Sequence, residues 1–331
     1  MAFNKKTRIF LAVILVAGWS LALGYQALNS GCLTRFFNYG RIYRDNRVLM
    51  GTFWEVTSPE KRAGEIVFSE ASRIEKLLSK YNASSEVSRL NRTGKIKASP
   101  DTFYVIKRAQ ELSLRTSGAF DITVAPLVDL WGFTDRKFRV PGNTEIESAM
   151  KITGSDKIVL HEKDNMIEFK IPGMEIDLGG IGKGFALDCA VKKLKENGIA
   201  DCLINAGGQV YALGNKFGAP WKVAVQTSAK PEISGTLELT DESASTSGDY
   251  EQFFLKDGKS YSHIIDPRTG YPAAGGITSV TVTADSALEA DALSTAVFIL
   301  GENGLPGLKA GFPKSRFYIR QGRAKEKQPE Q

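Results

Sequence analysis

Three separate groups of residues have the types and spacing to do chemistry. The first is the run Ile176-Asp177-Leu178-Gly179-Gly180-Ile181-Gly182-Lys183-Gly184-Phe185, in which several glycines lead straight into a helix-forming stretch. Backbone without side chains can approach an anion closely, and the first turn of a helix favours negative charge. Neither familiar phosphate fingerprint is present. The GxxxxGK[ST] pattern would need Gly where Asp177 stands and Ser or Thr where Gly184 stands, and the GxGxxG spacing is absent. The same glycines would equally serve a tight strand-to-helix turn packed close to a neighbour.

The second group is Asp291 and Thr295, spaced i and i+4 with Ser294 beside them, on a stretch otherwise rich in Leu, Ala and Val. A carboxylate and hydroxyls on one stripe of a buried helix are costly unless something pairs with them, and Mg2+ suits such oxygen ligands. An Asp favoured by the helix dipole and a Thr bonded back to its own helix would explain the same pattern. The third group is Tyr261-Ser262-His263-Ile264-Ile265-Asp266-Pro267-Arg268-Thr269-Gly270. Asp-Pro-Arg-Thr-Gly is turn chemistry, and a His entering such a turn is a candidate general base or a structural His. His161 reads as structural. No G-x-S-x-G elbow exists to support a hydrolase triad.

Composition narrows the classes. The 331 residues are 42% hydrophobic and 24% charged, which excludes disordered, collagen-like and multi-span membrane chains. Three Cys and two His are too few for a disulfide framework or a zinc cluster. Cys189 and Cys202 read as buried thiols. The whole net charge of +6 lies in residues 1–47, so the remaining body is balanced and offers no nucleic acid footprint.

The elements that must position these residues mix helix and strand without a βαβ rhythm, which predicts an α+β fold with mixed or antiparallel sheets and packed helices. Ser58-Pro59-Glu60 and Ser99-Pro100-Asp101 read as helix starts, the first helix reaching Tyr81 and the second Gly118. Residues 158–161 and 166–171 read as strands around the turn Lys163-Asp164-Asn165. A helix over 183–197 closes at Gly198, and another over 287–300 closes at Gly301. Residues 202–205, 222–226, 235–239, 278–283 and 316–320 read as strands, and 227–233 as a surface loop.

Taken together, the ordered segments from about Leu49 to Gly301 resemble the ApbE family, the FAD:protein FMN transferases. The resemblance runs through Met50-Gly51-Thr52, Ser79-Lys80-Tyr81, Ser85-Glu86-Val87-Ser88-Arg89-Leu90-Asn91, Gly118-Ala119-Phe120-Asp121 and Leu130-Trp131-Gly132-Phe133. It continues through the glycine run, Asn205-Ala206-Gly207-Gly208, Ser245-Thr246-Ser247-Gly248-Asp249-Tyr250, the His263 segment and the Asp291 helix. Three positions depart from the family's habit: Gly182 stands where Ala is common, Phe185 where Tyr is, and Ile122 where Pro is.

The resemblance implies an ApbE-like fold and an Mg2+-dependent transfer of FMN from FAD to a Thr or Ser hydroxyl of an acceptor redox protein, with AMP leaving. It implies flavin-nucleotide contacts at Met50, Tyr81, Ala119, Phe120, Asp121, Asp177, Lys183 and Ile265. It implies a metal site at the Gly180 carbonyl, Asp291, Thr295 and Ser294, with Asp291 essential to catalysis and His263 as the base. An FAD-binding lipoprotein or an Mg2+-dependent FAD pyrophosphatase would use much of the same machinery.

The amino terminus reads as an export segment. Lys5, Lys6 and Arg8 precede an apolar run from Ile9 to Leu23, the pattern of a signal peptide or membrane anchor. Leu28-Asn29-Ser30-Gly31-Cys32 resembles a lipoprotein processing box. The expected layout is a leader or anchor over 1–31, a basic tether over 32–47, a catalytic domain over 48–322 and a polar tail over 323–331. The catalytic domain would then sit at the inner membrane on its periplasmic, extracytoplasmic side.

Overall fold

The computed structural model describes residues 41–226, 233–248, 252–273 and 276–321. The expected leader, residues 32–40 of the tether and the tail over 323–331 lie outside them. In chain order the elements are β1 (Tyr43–Leu49), β2 (Thr52–Ser58), α1 (Ala63–Leu78), α2 (Glu86–Thr93), β3 (Lys95–Lys97), α3 (Pro100–Arg115), α4 (Ala125–Leu130) and α5 (Asn143–Lys151). There follow β4 (Ile158–His161), β5 (Met166–Phe169), α6 (Gly182–Glu196), β6 (Cys202–Ala206), β7 (Gln209–Leu213), β8 (Trp221–Gln226), β9 (Ile233–Leu239) and β10 (Glu242–Gly248). The chain continues through β11 (Phe253–Lys256), β12 (Lys259–Ser262), β13 (Ile277–Ala284), α7 (Ala287–Gly311) and β14 (Arg316–Gln321).

A seven-stranded sheet in the order β1-β2-β6-β7-β10-β13-β14 is antiparallel throughout. The α+β expectation is thus met, as helices and antiparallel strands occupy separate layers rather than alternating. Helix α7 lies on β10 and β13, and α6 packs against both α1 and α7. Successive strand side chains point to opposite faces, which β7 shows directly: Tyr211 and Leu213 join the main core, while Ala212 faces a second cluster with Trp221, Leu239 and Ala244. A further aromatic cluster gathers Leu127, Trp131, Phe133, Phe254 and Ile265 beside the hairpin β11–β12.

Residues 43–47, expected in the tether, belong to the domain. They form β1, paired along its length with β2 from Tyr43↔Ser58 to Leu49↔Thr52. As an edge strand β1 keeps most of its side chains in solvent, so its charged sequence concealed it. Ser58 ends β2 instead of opening α1, and its hydroxyl accepts the Glu60 amide at 3.1 Å. Gly301 does break its helix (φ 68°, ψ −169°), but helical turns resume and run to Gly311. Cys189 and Cys202 are free thiols.

Candidate active site

The glycine run follows Ile176, which is held by a two-way bond to Asn91: the Ile176 amide donates to Asn91 Oδ1 and Asn91 Nδ2 donates to the Ile176 carbonyl, both at 2.9 Å. Asp177 Oδ1 then accepts the Gly179 amide at 2.8 Å, which curls the backbone into a turn. Lys183 Nζ closes the turn from the helix side, donating to the Gly179 carbonyl at 3.1 Å. Helix α6 starts at Gly182, so the carbonyl of Gly180 lies just outside its first turn.

Helix α7 meets this turn closely. A Cβ built on Gly180 would lie 3.5 Å from Thr295 Oγ1 and 3.4 Å from the Phe120 ring. Asp291 Oδ2 accepts the Gly184 amide at 3.1 Å, and its Oδ1 is 3.8 Å from Lys183 Nζ. Asp291 is 5% exposed. Burial pushes its carboxyl above the usual carboxylate range, against the opposing pull of Lys183 and the Gly184 amide. A buried carboxylate in that condition is short of positive charge.

The third group enters from the other side. The His263 amide and its Nδ1 both bond to the Gln252 carbonyl at 3.0 Å, which pins the ring at the root of the hairpin. With Nδ1–H as donor to that carbonyl, Nε2 bears the lone pair. Burial lowers the affinity of His263 for a proton, so the ring stays neutral at neutral pH. The segment that follows is held by Asp266, which takes Arg268 in a two-point bond at 2.9 and 2.7 Å, and by Trp131, whose indole donates to the Gly270 carbonyl at 2.9 Å.

These three groups converge on one cavity of about 340 Å³. Tyr81, Ala119, Phe120, Asp121, Asp177, Gly180, Lys183, His263, Ile265, Asp291 and Thr295 all line it. Two expected site residues do not. Met50 lines an adjoining cavity of about 200 Å³, whose wall shares Tyr81, Asp177, Gly179 and Lys183 with the first; its amide donates to Glu75 at 2.8 Å. Ser294 is fully buried behind the wall. Its hydroxyl bonds Ser247 Oγ at 2.8 Å and the Asp291 carbonyl at 2.8 Å, so it stays with its own helix and with β10 rather than turning toward a metal.

Asp121 lines the cavity with its carboxylate already engaged. It accepts from the Thr123 amide and hydroxyl, the Ser155 amide and hydroxyl, and the Ser113 hydroxyl. Its side chain therefore ties the 121–124 segment to residue 155. Gln209, Ser245 and Ser247 also line the cavity, although no motif in the sequence gives them an individual role. The signal for the two serines was the alternation of small polar residues along β10, which puts 245 and 247 on one face toward α7.

The donor set suits a hard cation. One buried carboxylate, one hydroxyl and one backbone carbonyl match Mg2+, which commonly takes one or two carboxylates from the protein and shares its shell with phosphate oxygens and water. Among the described residues no three His, Cys, Asp or Glu side chains cluster closely enough to cage an ion by themselves. The wall also holds the buried Oε1 of Gln209, which has no hydrogen-bond partner among the described residues.

Residues 50–312 match the ApbE family. The FAD:protein FMN transferase of Escherichia coli K12 is 32% identical over 268 residues, covering 76% of each chain. That of Vibrio cholerae is 36% identical over 233 residues, 68% of this chain and 69% of its own. Among solved structures, the ApbE protein of Thermotoga maritima gives a TM-score of 0.78 at 35% identity, over 84% of this chain and 94% of its own. The flavin transferase ApbE from Vibrio cholerae gives 0.75 at 30% identity, over 84% and 93%. With both the relatives and the solved folds matched over most of their length, this chain belongs to the ApbE family.

Proposed function

We propose that this protein transfers FMN from FAD to a Ser or Thr hydroxyl of an acceptor redox protein, with Mg2+ as cofactor and AMP as leaving group. The observation that carries this reading is the convergence of the Gly180 turn, Asp291 with Thr295, and His263 on one cavity. Mg2+ held by the Gly180 carbonyl, Asp291 and Thr295 would neutralise the diphosphate and favour in-line attack at one phosphorus.

The remaining work falls to the chain itself. The acceptor oxygen forms a bond to the flavin-side phosphorus as the bond to the AMP oxygen breaks, and His263 Nε2 takes the hydroxyl proton. Lys183, 3.8 Å from Asp291, adds positive charge beside the phosphates. Tyr81, exposed at the border of the two cavities, offers an aromatic face to a flavin or adenine ring. The export segment and its anchor would hold this domain outside the cytoplasm at the inner membrane, on the same side as its acceptor.

Intact mass spectrometry tests the reading. Protein, FAD, Mg2+ and a candidate acceptor domain should yield an acceptor heavier by one FMN unit, with AMP in solution. Free FMN and AMP with an unlabelled acceptor would instead identify a pyrophosphatase, and bound, intact FAD a flavin carrier.

A further inference from the structure

Lys80 takes part in no step of the chemistry above, yet its side chain is only 9% exposed and ties three segments together. It follows α1 in the turn Ser79-Lys80-Tyr81. Its Nζ lies 3.0 Å from Asp177 Oδ2, 3.3 Å from Asp129 Oδ1 and 3.1 Å from Thr134 Oγ1. Three acceptors satisfy the three donors of an ammonium group, so Lys80 has no proton left to offer a ligand. Burial by itself would favour the neutral amine, but Asp177 and Asp129 outweigh it and keep the group charged.

Asp177 passes this restraint on. One oxygen is held by Lys80 while the other accepts the Gly179 amide. The Gly179 carbonyl is held in turn by Lys183. Both peptide units flanking Gly179 are therefore fixed by side chains, at a place where two successive glycines would otherwise leave the backbone free. The next residue is Gly180, which faces Thr295.

We propose that Lys80 is a positioning residue: through Asp177 it sets the glycine turn so that the Gly180 carbonyl is presented to the same point as Asp291 and Thr295. The proposal rests on reading those three groups as a divalent cation site. Without Lys80, Asp129 and Asp177 lose the cation they share, close to Glu175, whose carboxyl burial and Asp129 already push up. Asp177 Oδ2 also loses its donor, and it is the loss of that anchor that releases the turn.

The test uses the full chain with Mn2+ as probe, titrated in the presence of FAD and read by electron paramagnetic resonance, so that no acceptor is needed. Lys80→Met should weaken Mn2+ binding by about tenfold, the effect expected from losing a residue that orients a metal ligand. Hydrogen exchange of the metal-free variant should accelerate at the amides of 178–181 and stay unchanged in the body of α6. Lys80→Arg, which keeps the charge, should recover most of the affinity. Adding Asp129→Asn to Lys80→Met removes the neighbouring charge without restoring the anchor, and should leave Mn2+ binding weak.

Wild-type Mn2+ affinity in Lys80→Met would overturn the proposal. So would full recovery in the double variant, because Lys80 would then only neutralise Asp129. Failure of the wild type to bind Mn2+ with FAD would overturn both this proposal and the metal site. A wild type that binds both, labels no acceptor, and still shows the Lys80→Met loss would refute transfer while upholding the role of Lys80.

Discussion

Replacing Gly184 by Ala should cost this enzyme both stability and rate, whereas the same change two residues earlier should not. A Cβ on Gly184 would lie 2.3 Å from the Ala287 carbonyl oxygen, 2.6 Å from its carbon and 2.7 Å from Leu288 Cα. All three are backbone atoms at the start of α7, so no side chain can turn aside. Restoring an allowed contact needs α6 and α7 to part by about 0.7 Å, and overpacking of that kind costs about 1–3 kcal/mol. For a domain of this size that is a fall in Tm of roughly 2–10 °C.

The rate should suffer more than the stability. Helix α6 is led in by the Gly180 turn and α7 bears Asp291 and Thr295, and the Gly184 amide is itself the donor to Asp291 at 3.1 Å. A shift approaching 1 Å between the two halves of a reacting site can cost about 10²-fold. At Gly182, the first residue of α6, a Cβ would meet Leu178 Cβ and Met50 Cε at 3.8 Å, ordinary contact, and Gly→Ala at such a compatible position gains about 0.4–1 kcal/mol. Thermal unfolding and FMN transfer to an acceptor domain should be measured for both variants. Wild-type rate and Tm in Gly184→Ala would refute the claim that the close approach of α6 and α7 assembles the site.

Asp291→Asn should abolish transfer, by about 10³-fold or more, yet leave the metal-free protein as stable as wild type or up to about 1 kcal/mol more so. Its carboxyl titrates higher folded than unfolded, so at pH above the unfolded value the charged form works against folding, and urea unfolding at neutral pH would reveal the relief. His263→Ala should slow transfer by about 10²–10⁴-fold with FAD affinity unchanged. Because burial lowers the His263 pKa, kcat/KM should hold steady at neutral pH and fall only on acidification below the usual imidazole value of about 6.5. A pH profile already falling above that value would speak against His263 as the base. Asp121→Ala should cost about 3 kcal/mol or more, since it strands buried donors of Thr123 and Ser155. Unfolding at the wild-type urea concentration would remove its role as an anchor.

The residues able to do chemistry, and the local elements that bear most of them, were legible in the chain. The i, i+4 spacing of Asp291 and Thr295 needs only a helix to share a face, and Asp-Pro-Arg-Thr-Gly forms its turn from local hydrogen bonds to Asp266. The glycine run announced a close backbone approach without saying to what. The tertiary structure alone decided that Ala287 is what Gly184 meets, and that Gly180 and Thr295 are neighbours across more than a hundred residues of chain. It also sorted the polar residues: Asp121 is occupied by Thr123 and by the distant Ser155, and Ser294 is turned to β10. Strand β1 is hidden in the sequence because an edge strand in solvent shows no apolar alternation. Local propensity and spacing act within a few residues and are written in the sequence. Which buried carboxylate is saturated by donors and which keeps few depends on partners brought in by packing, and no single segment contains them.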